Sequence, residues 1–188
     1  VAEDETVDGN SDGKITGTMS GMEYRLKAQQ GQPENQWQDC GENSTENLAP
    51  GTYEVRYKAV TTGQGAFVSA AVEITIGKGA ARNYSINVSA PGFTDVEYGY
   101  NRTDAQEVSI ENKGNVPVTI TKAELTGTDS NVFELKRTDG ETGNIAIAVN
   151  DKNETYTVQP KADLSAGEYE ASVQVTYQTD SGIATSTA

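Results

Sequence analysis

The chain contains no histidine and a single cysteine, Cys40. Without histidine, the Ser-His-Asp and Cys-His nucleophile systems and every histidine-ligated metal site are excluded. One cysteine can form neither an internal disulfide nor a thiolate metal cluster. No local pattern singles out a pair of catalytic carboxylates, so we predict that the chain is not an enzyme.

Basic residues are also few. There are 14 Lys and Arg against 28 Asp and Glu, which gives a net charge of −14 at pH 7. Nucleic acids and anionic membrane surfaces are bound through clusters of Lys and Arg. We therefore expect no nucleic acid partner and no direct membrane contact. The acidic surface also predicts a monomer in isolation, because like-charged copies repel one another.

Long hydrophobic runs are absent, and the sequence shows neither a transmembrane segment nor a signal peptide. The chain starts at Val1 and ends in a polar, strand-like run, so we expect a processed or trimmed piece of a longer protein. Hydrophobic residues make up 35% of it, Leu is scarce beside Val, Ile, Thr and Tyr, and 19 Gly supply turns. This composition predicts an all-β fold.

Two distant segments share the pattern Leu-x-x-Gly-x-Tyr before an alternating strand. The motif residues are Leu48, Gly51, Tyr53, Leu164, Gly167 and Tyr169. The pattern resembles the tyrosine corner of immunoglobulin-like sandwiches, in which the Tyr hydroxyl bonds to upstream backbone. Two corners predict two tandem immunoglobulin-like β-sandwiches. Both tyrosines are expected to be largely buried and structural.

Changes in composition along the chain predict its division. Residues 1–13 hold five carboxylates and no base, which predicts a flexible acidic leader. Alternating strand patterns then predict a small β-sandwich over residues 14–77. Residues 78–81 are expected to be a linker, and residues 82–188 a larger immunoglobulin-like sandwich.

Several segments resemble known surface domains. Residues 110–120 read Ile-Glu-Asn-Lys-Gly-Asn-Val-Pro-Val-Thr-Ile, a predicted hairpin. With residues 133–135 and 156–160, this stretch makes the second half resemble the Ig-like family of Hydin-type, major-sperm-protein-like and bacterial surface domains. The first half is similar to small β-sandwich repeats of Gram-positive surface proteins. Its landmarks are Met22-Glu23-Tyr24, Trp37-Gln38-Asp39-Cys40 and residues 48–53. The resemblances imply a secreted or cell-wall-associated bacterial protein and no catalytic residues.

One segment is similar to a calcium loop. Asp8, Asn10 and Asp12 occupy the first three ligand positions of the pattern D-x-N-x-D-G-x-I. Met19 stands where the bidentate Glu or Asp should be, and no helix is predicted on either side. We therefore favour an Asp- and Gly-rich linker and no cofactor, with calcium at these three residues as the alternative.

Aromatic residues beside polar ones are the candidate ligand-binding residues. Trp37 with Asp39, and Tyr98 with Tyr100, have the composition of sugar-binding surfaces. A single Trp on an early strand is more often a core anchor, and we expect Trp37 to be one, with Cys40 buried beside it. Tyr98 and Tyr100 are predicted to point the same way in a strand and to pack at the domain end.

Lysine–asparagine isopeptide bonds occur in wall-anchored sandwiches, and Lys58 or Lys122 are candidates, although the sequence pairs neither with an Asn. The leading functional hypothesis is a non-catalytic spacer and interaction module of a modular bacterial surface protein. The alternative is an adhesin module that binds carbohydrate or a host protein.

Overall fold

The computed structural model describes residues 1–62 and 65–188. Strands dominate these residues, α-helix is absent from them, and a 3-10 turn spans Ser130–Val132. The prediction of an all-β fold is confirmed. Within the described ranges, no helix is long and apolar enough to cross a membrane. The chain forms two compact units, Val1–Arg82 and Asn83–Ala188.

The first unit contains two facing sheets and a hairpin. Its strands are β1 (Ala2–Glu3), β2 (Gly13–Thr18), β3 (Met22–Leu26), β4 (Gln38–Asp39), β5 (Asn43–Leu48), β6 (Gly51–Tyr57), β7 (Val60–Thr62), β8 (Gly65–Phe67) and β9 (Val72–Ile76). One sheet has the order β1-β2-β5 and the other β4-β3-β6-β9, while β7 and β8 pair with each other. All these ladders are antiparallel.

A small core lies between the two sheets of this unit. Alternation along β6 buries Tyr53 and Val55 and turns Glu54 and Arg56 to the opposite face. The buried apolar residues are Ile15, Cys40, Leu48, Tyr53, Val55 and Ile76. Trp37 is not one of them.

Residues 1–13 are part of the first unit, which corrects the expectation of a flexible leader. β1 pairs with β2, and Glu5 and Val7 are buried at 3% and 8% exposure. Residues 5–8 run parallel to residues 77–80, and Val7 forms a parallel β-bridge with Ala80. Counting charges missed this because backbone hydrogen bonds, which composition does not report, hold the segment in place.

The second unit is β-sandwich-like, with four strands in each sheet. Its strands are β10 (Ile86–Ser89), β11 (Gln106–Asn112), β12 (Val118–Thr126), β13 (Phe133–Arg137), β14 (Ile145–Ile147), β15 (Lys152–Pro160), β16 (Ser172–Thr179) and β17 (Gly182–Thr187). The sheet orders are β10-β11-β15-β13 and β14-β12-β16-β17. Inward-facing Val and Ile from both sheets form a larger core than that of the first unit.

Residues 110–120 do not form the predicted hairpin, because β11 and β12 belong to different sheets. The chain crosses between the sheets around Asn112, which is completely buried. Its side-chain NH2 donates to the carbonyls of Val116 and Ile147 at 2.8 and 3.3 Å, and its Oδ1 accepts the Gly114 N–H at 2.9 Å. These bonds satisfy backbone groups that the crossing leaves without ladder partners.

Candidate functional site

A cleft of about 630 Å³ lies in the second unit. Its base consists of apolar side chains from both sheets: Leu125 of β12, Phe133 of β13, Val158 of β15 and Val173 of β16. Two loops complete it, residues 90–100 and residues 164–171. The cleft therefore lies where the core of the unit opens at its loops. The volume is within the usual range of ligand sites.

The first of these loops belongs to a long connection without regular structure, residues 90–105 between β10 and β11. Connections of this length are uncommon in small domains and often carry binding functions. Phe93 anchors the connection, with its ring 6.2 Å from that of Phe133. The Tyr100 hydroxyl donates to the Lys161 carbonyl and so joins the connection to the segment after β15.

Tyr98 and Tyr100 do not share a face, contrary to the prediction. Gly99 has φ +81°, and the Tyr100 N–H donates to the Glu97 carbonyl at 3.1 Å, so the chain turns here. A turn removes the two-residue alternation on which the prediction depended. Tyr98 is 83% exposed, whereas Tyr100 is half-buried. Both line the cleft.

The second loop contains the second corner. The Tyr169 hydroxyl donates to the Ser165 carbonyl at 2.9 Å, and Leu164, Gly167 and Tyr169 all line the cleft. Tyr169 is only half-buried and precedes β16, so the expectation that it would be largely buried is wrong. The corner hydrogen bond is present, but the ring lies at a cleft and not in the core.

The first corner differs in its surroundings. Tyr53 lies within β6 at 5% exposure and donates to the Ala49 carbonyl at 2.9 Å. Leu48 is buried with it, and Gly51 begins the strand. Burial raises the pKa of the Tyr53 hydroxyl, and the neighbouring Tyr24 acts in the same direction.

Carboxylates dominate the ionisable groups of the cleft. Asp95 and Glu97 come from the first loop, and Glu168 and Glu170 flank Tyr169 in the second. All four residues are exposed, and the lining contains no Lys or Arg. The sequence alone did not distinguish these four residues from the other Asp and Glu residues, of which the chain has 28 in total. The available signal was their spacing around tyrosines, in Asp-Val-Glu-Tyr and Glu-Tyr-Glu.

Trp37 and Asp39 lie on a different surface, the outer face of β3 and β6. The Trp37 ring is half-buried, with the Arg56 and Arg25 guanidinium carbons 3.7 and 4.5 Å from its centroid. Asp39 accepts an ion pair from Lys58 at 2.9 Å. The predicted core position for Trp37 is wrong.

Strand geometry explains the correction. Cys40 is buried against β3 and β6, and a residue three positions earlier in an extended chain points to the opposite face. Trp37 and Cys40 therefore cannot both enter the core.

The two arginines next to Trp37 are both paired with glutamates. Arg25 pairs with Glu54 at 2.6 Å and with Glu34, and Arg56 pairs with Glu23 at 2.7 Å. The Arg25–Glu54 and Arg56–Glu23 pairs join residues directly opposite one another on β3 and β6. Such cross-strand pairs stabilise a sheet. We therefore place the candidate site at the cleft.

The three residues of the calcium-like pattern make hydrogen bonds within the first unit. Asp12 accepts the Thr6 N–H at 2.9 Å and the Thr6 hydroxyl, and these bonds, the hydroxyl first, lower the pKa of its carboxyl. Asp8 lies 3.4 Å from the Lys78 ammonium, and Asn10 donates to Thr6 at 3.4 Å. Across the described ranges, no three His, Cys, Asp or Glu side chains are grouped to hold a metal.

The two candidate isopeptide lysines have acidic neighbours. Lys58 pairs with Asp39, and Lys122 pairs with Glu124 at 2.7 Å. Neither Asp39 nor Glu124 is buried, whereas a buried acid is what promotes such bonds. Cys40 is a buried free thiol, and its burial raises its pKa.

No protein-family model matches the chain, and a search of curated proteins finds no match.

Proposed function

We propose that this chain is a non-catalytic spacer and interaction module, built from two immunoglobulin-like sandwiches, of a bacterial cell-surface protein. The tyrosine-corner bonds of Tyr53 and Tyr169 support the immunoglobulin-like assignment. The resemblance of residues 48–53 and 110–120 to segments of bacterial surface domains supports an extracellular position. The strongest support for a spacer comes from the hydrogen bonds between the first and last segments of the first unit.

The entry and exit segments of the first unit are hydrogen-bonded to each other in parallel. Glu5 N–H donates to the Gly77 carbonyl at 3.2 Å, Ala80 N–H to Thr6 at 3.1 Å, and Asp8 N–H to Ala80 at 2.9 Å. Pulling the two ends of this unit apart draws the parallel segments past each other. The bonds are then loaded in shear and must break together.

Gly79 lies at the centre of this pairing. A Cβ at this position would come within 2.4 Å of the Val7 nitrogen and 2.6 Å of the Glu5 carbonyl oxygen. Any side chain therefore separates the two segments, while the core between the sheets is untouched. Gly79 thus allows a test that isolates the parallel pairing.

Single-molecule force spectroscopy on the full chain, tethered at residues 1 and 188, tests the spacer proposal. We expect Gly79→Ala to speed unfolding of one of the two units roughly fivefold or more at a fixed force, because it removes at least one backbone hydrogen bond. The matched control is Gly21→Ala, where a Cβ meets nothing within 4 Å. Equal unfolding rates for the two variants would argue against a mechanical role.

Ligand recognition is the second candidate function, and the cleft of the second unit favours it. Its apolar base, exposed Tyr98 and long connection are the features of a binding site. Carbohydrate and protein ligands both belong to this candidate. A spacer that also carries a binding cleft combines the two functions in one chain.

A further inference from the structure

None of the four carboxylates of the cleft is paired with a base in the part of the chain that the structure describes. Lys and Arg elsewhere are largely engaged with Asp and Glu. Asp95, Glu97, Glu168 and Glu170 instead converge from two loops on one cavity. Clefts lined by one sign of charge focus the field and attract ions of the opposite sign.

Apolar and aromatic surface adjoins these charges. Val158 and Val173 are buried at the base of the cleft, and Phe93 and Phe133 pack against the same core. The Tyr98 ring is 83% exposed beside Glu97. An aromatic face next to carboxylates suits a cation on an alkyl stem, which contacts the ring and pairs with the acid.

We propose that the cleft binds an extended segment of another protein that carries Lys or Arg next to apolar residues. Its cations pair with the carboxylates of Glu97 and Glu168 and contact Tyr98, and its apolar side chains enter the base of the cleft. Charge complementarity selects this occupant over an acidic segment. It also selects it over a neutral glycan, which leaves four carboxylates without counter-charge.

Fluorescence anisotropy with the full chain tests this proposal. The probe is a labelled hexapeptide of alternating lysine and leucine with blocked ends, and the comparison ligands are its glutamate–leucine counterpart and a neutral hexasaccharide. We expect saturable binding of the basic peptide only. Glu97→Gln with Glu168→Gln should weaken it about tenfold, and Tyr98→Ala about threefold.

A matched control separates the cleft from the general attraction of an acidic protein for a cation. Glu107→Gln with Glu141→Gln removes the same charge from exposed positions of the same unit outside the cleft. This variant should change affinity less than twofold. An equal loss in both double variants, or preferential binding of the hexasaccharide or the acidic peptide, overturns the proposal. Unchanged melting temperatures confirm that the variants are folded.

This inference rests on the interaction half of the proposed function. Its variants lie in the second unit, whereas the mechanical test uses Gly79 in the first. If Gly79→Ala speeds unfolding but the basic peptide does not bind, the ligand proposal is wrong and the spacer proposal stands. If the peptide binds but Gly79→Ala unfolds at the same rate as Gly21→Ala, the spacer proposal is wrong and the ligand proposal stands.

Discussion

The two corner tyrosines make the same hydrogen bond in different surroundings. Each hydroxyl donates at 2.9 Å to the carbonyl four residues earlier, Ala49 for Tyr53 and Ser165 for Tyr169. Tyr53 is buried in a core, whereas Tyr169 is half-buried at a cleft. The Tyr53 bond is partly buried and the Tyr169 bond is exposed. Solvent therefore competes more strongly for the second bond, so that equal geometry gives unequal stabilisation.

Replacing each tyrosine by phenylalanine measures this difference. Tyr53→Phe should lower the free energy of unfolding by about 1 kcal/mol, because it removes a partly buried hydrogen bond. Tyr169→Phe should cost less than about 0.5 kcal/mol, as for exposed positions generally. Urea denaturation of both variants gives the two values. Equal losses would show that burial does not decide the strength of this bond.

Cys40 gives the first unit a stability that depends on pH. Burial raises the pKa of its thiol, with Thr45 and Lys58 opposing the shift and Asp39 supporting it. The folded state therefore keeps the proton to a higher pH than the unfolded state. Stability is fully present below the ordinary thiol pKa of about 8.5 and is lost as the pH rises through the raised value.

Thermal unfolding between pH 7 and 10 checks this sign. The melting temperature of the first unit should fall more steeply in the wild type than in Cys40→Ala, which has no thiol to ionise. Tyr53, whose pKa is also raised by burial, acts in the same direction and remains in both proteins. Parallel curves would assign the alkaline loss to tyrosine and not to Cys40.

The outer face of β3 and β6 shows that the type of a residue does not decide which face of a sheet it occupies. Trp37 was predicted to be a core anchor by its type, but its distance of three residues from buried Cys40 places it outside. Arg25 and Arg56 contact its ring and are themselves paired with glutamates. On this face, the Trp37 ring therefore covers the Arg25–Glu54 and Arg56–Glu23 ion pairs.

Trp37→Ala should consequently cost only about 1 kcal/mol, the value of exposed cation–π contacts. Truncating a buried residue of the same unit, Ile76→Ala, should cost about 2–5 kcal/mol. Chemical denaturation of both variants compares the two. If Trp37→Ala lowered the free energy of unfolding as much as Ile76→Ala, Trp37 would contribute to stability like a core residue.

Regular strands were predictable from the sequence, and the irregular segments were not. Alternation of apolar residues locates strands such as β11 and β16, because side chains on successive residues point to opposite faces. The connection of residues 90–105 contains no such period, so the turn at Gly99 and the joining bond from Tyr100 were invisible. The cleft depends on both, which is why the sequence suggested Tyr98 and Tyr100 but not the cavity.

At the scale of the whole chain, the two corner motifs predict two sheet pairs, but the sequence gives no sign of how the chain crosses between sheets. The segment around Asn112 was read as a hairpin because Lys-Gly-Asn is a good turn. Asn112 is instead buried, and its side chain replaces ladder partners at the crossing. Turn chemistry reports a local reversal and cannot report which sheet receives the next strand.

The net charge of −14 acts on the whole molecule and separates copies of the chain at neutral pH. The sequence pI is about 4.3, so protonation of carboxylates removes this repulsion as the pH falls towards that value. Exposed apolar residues such as Phe67 and Val72, at 60% and 63% exposure, then become free to meet those of another copy.

We therefore expect a monomer by analytical ultracentrifugation at pH 7.5 and reversible association as the pH approaches 4.3. Circular dichroism at each pH separates association of folded chains from acid unfolding, since the first leaves the β signal unchanged. Phe67→Ser with Val72→Ser should reduce association at pH 4.3 if the exposed apolar side chains carry it. A dimer already present at pH 7.5 would contradict the repulsion argument, because a charge of −14 on each copy opposes that contact most strongly there.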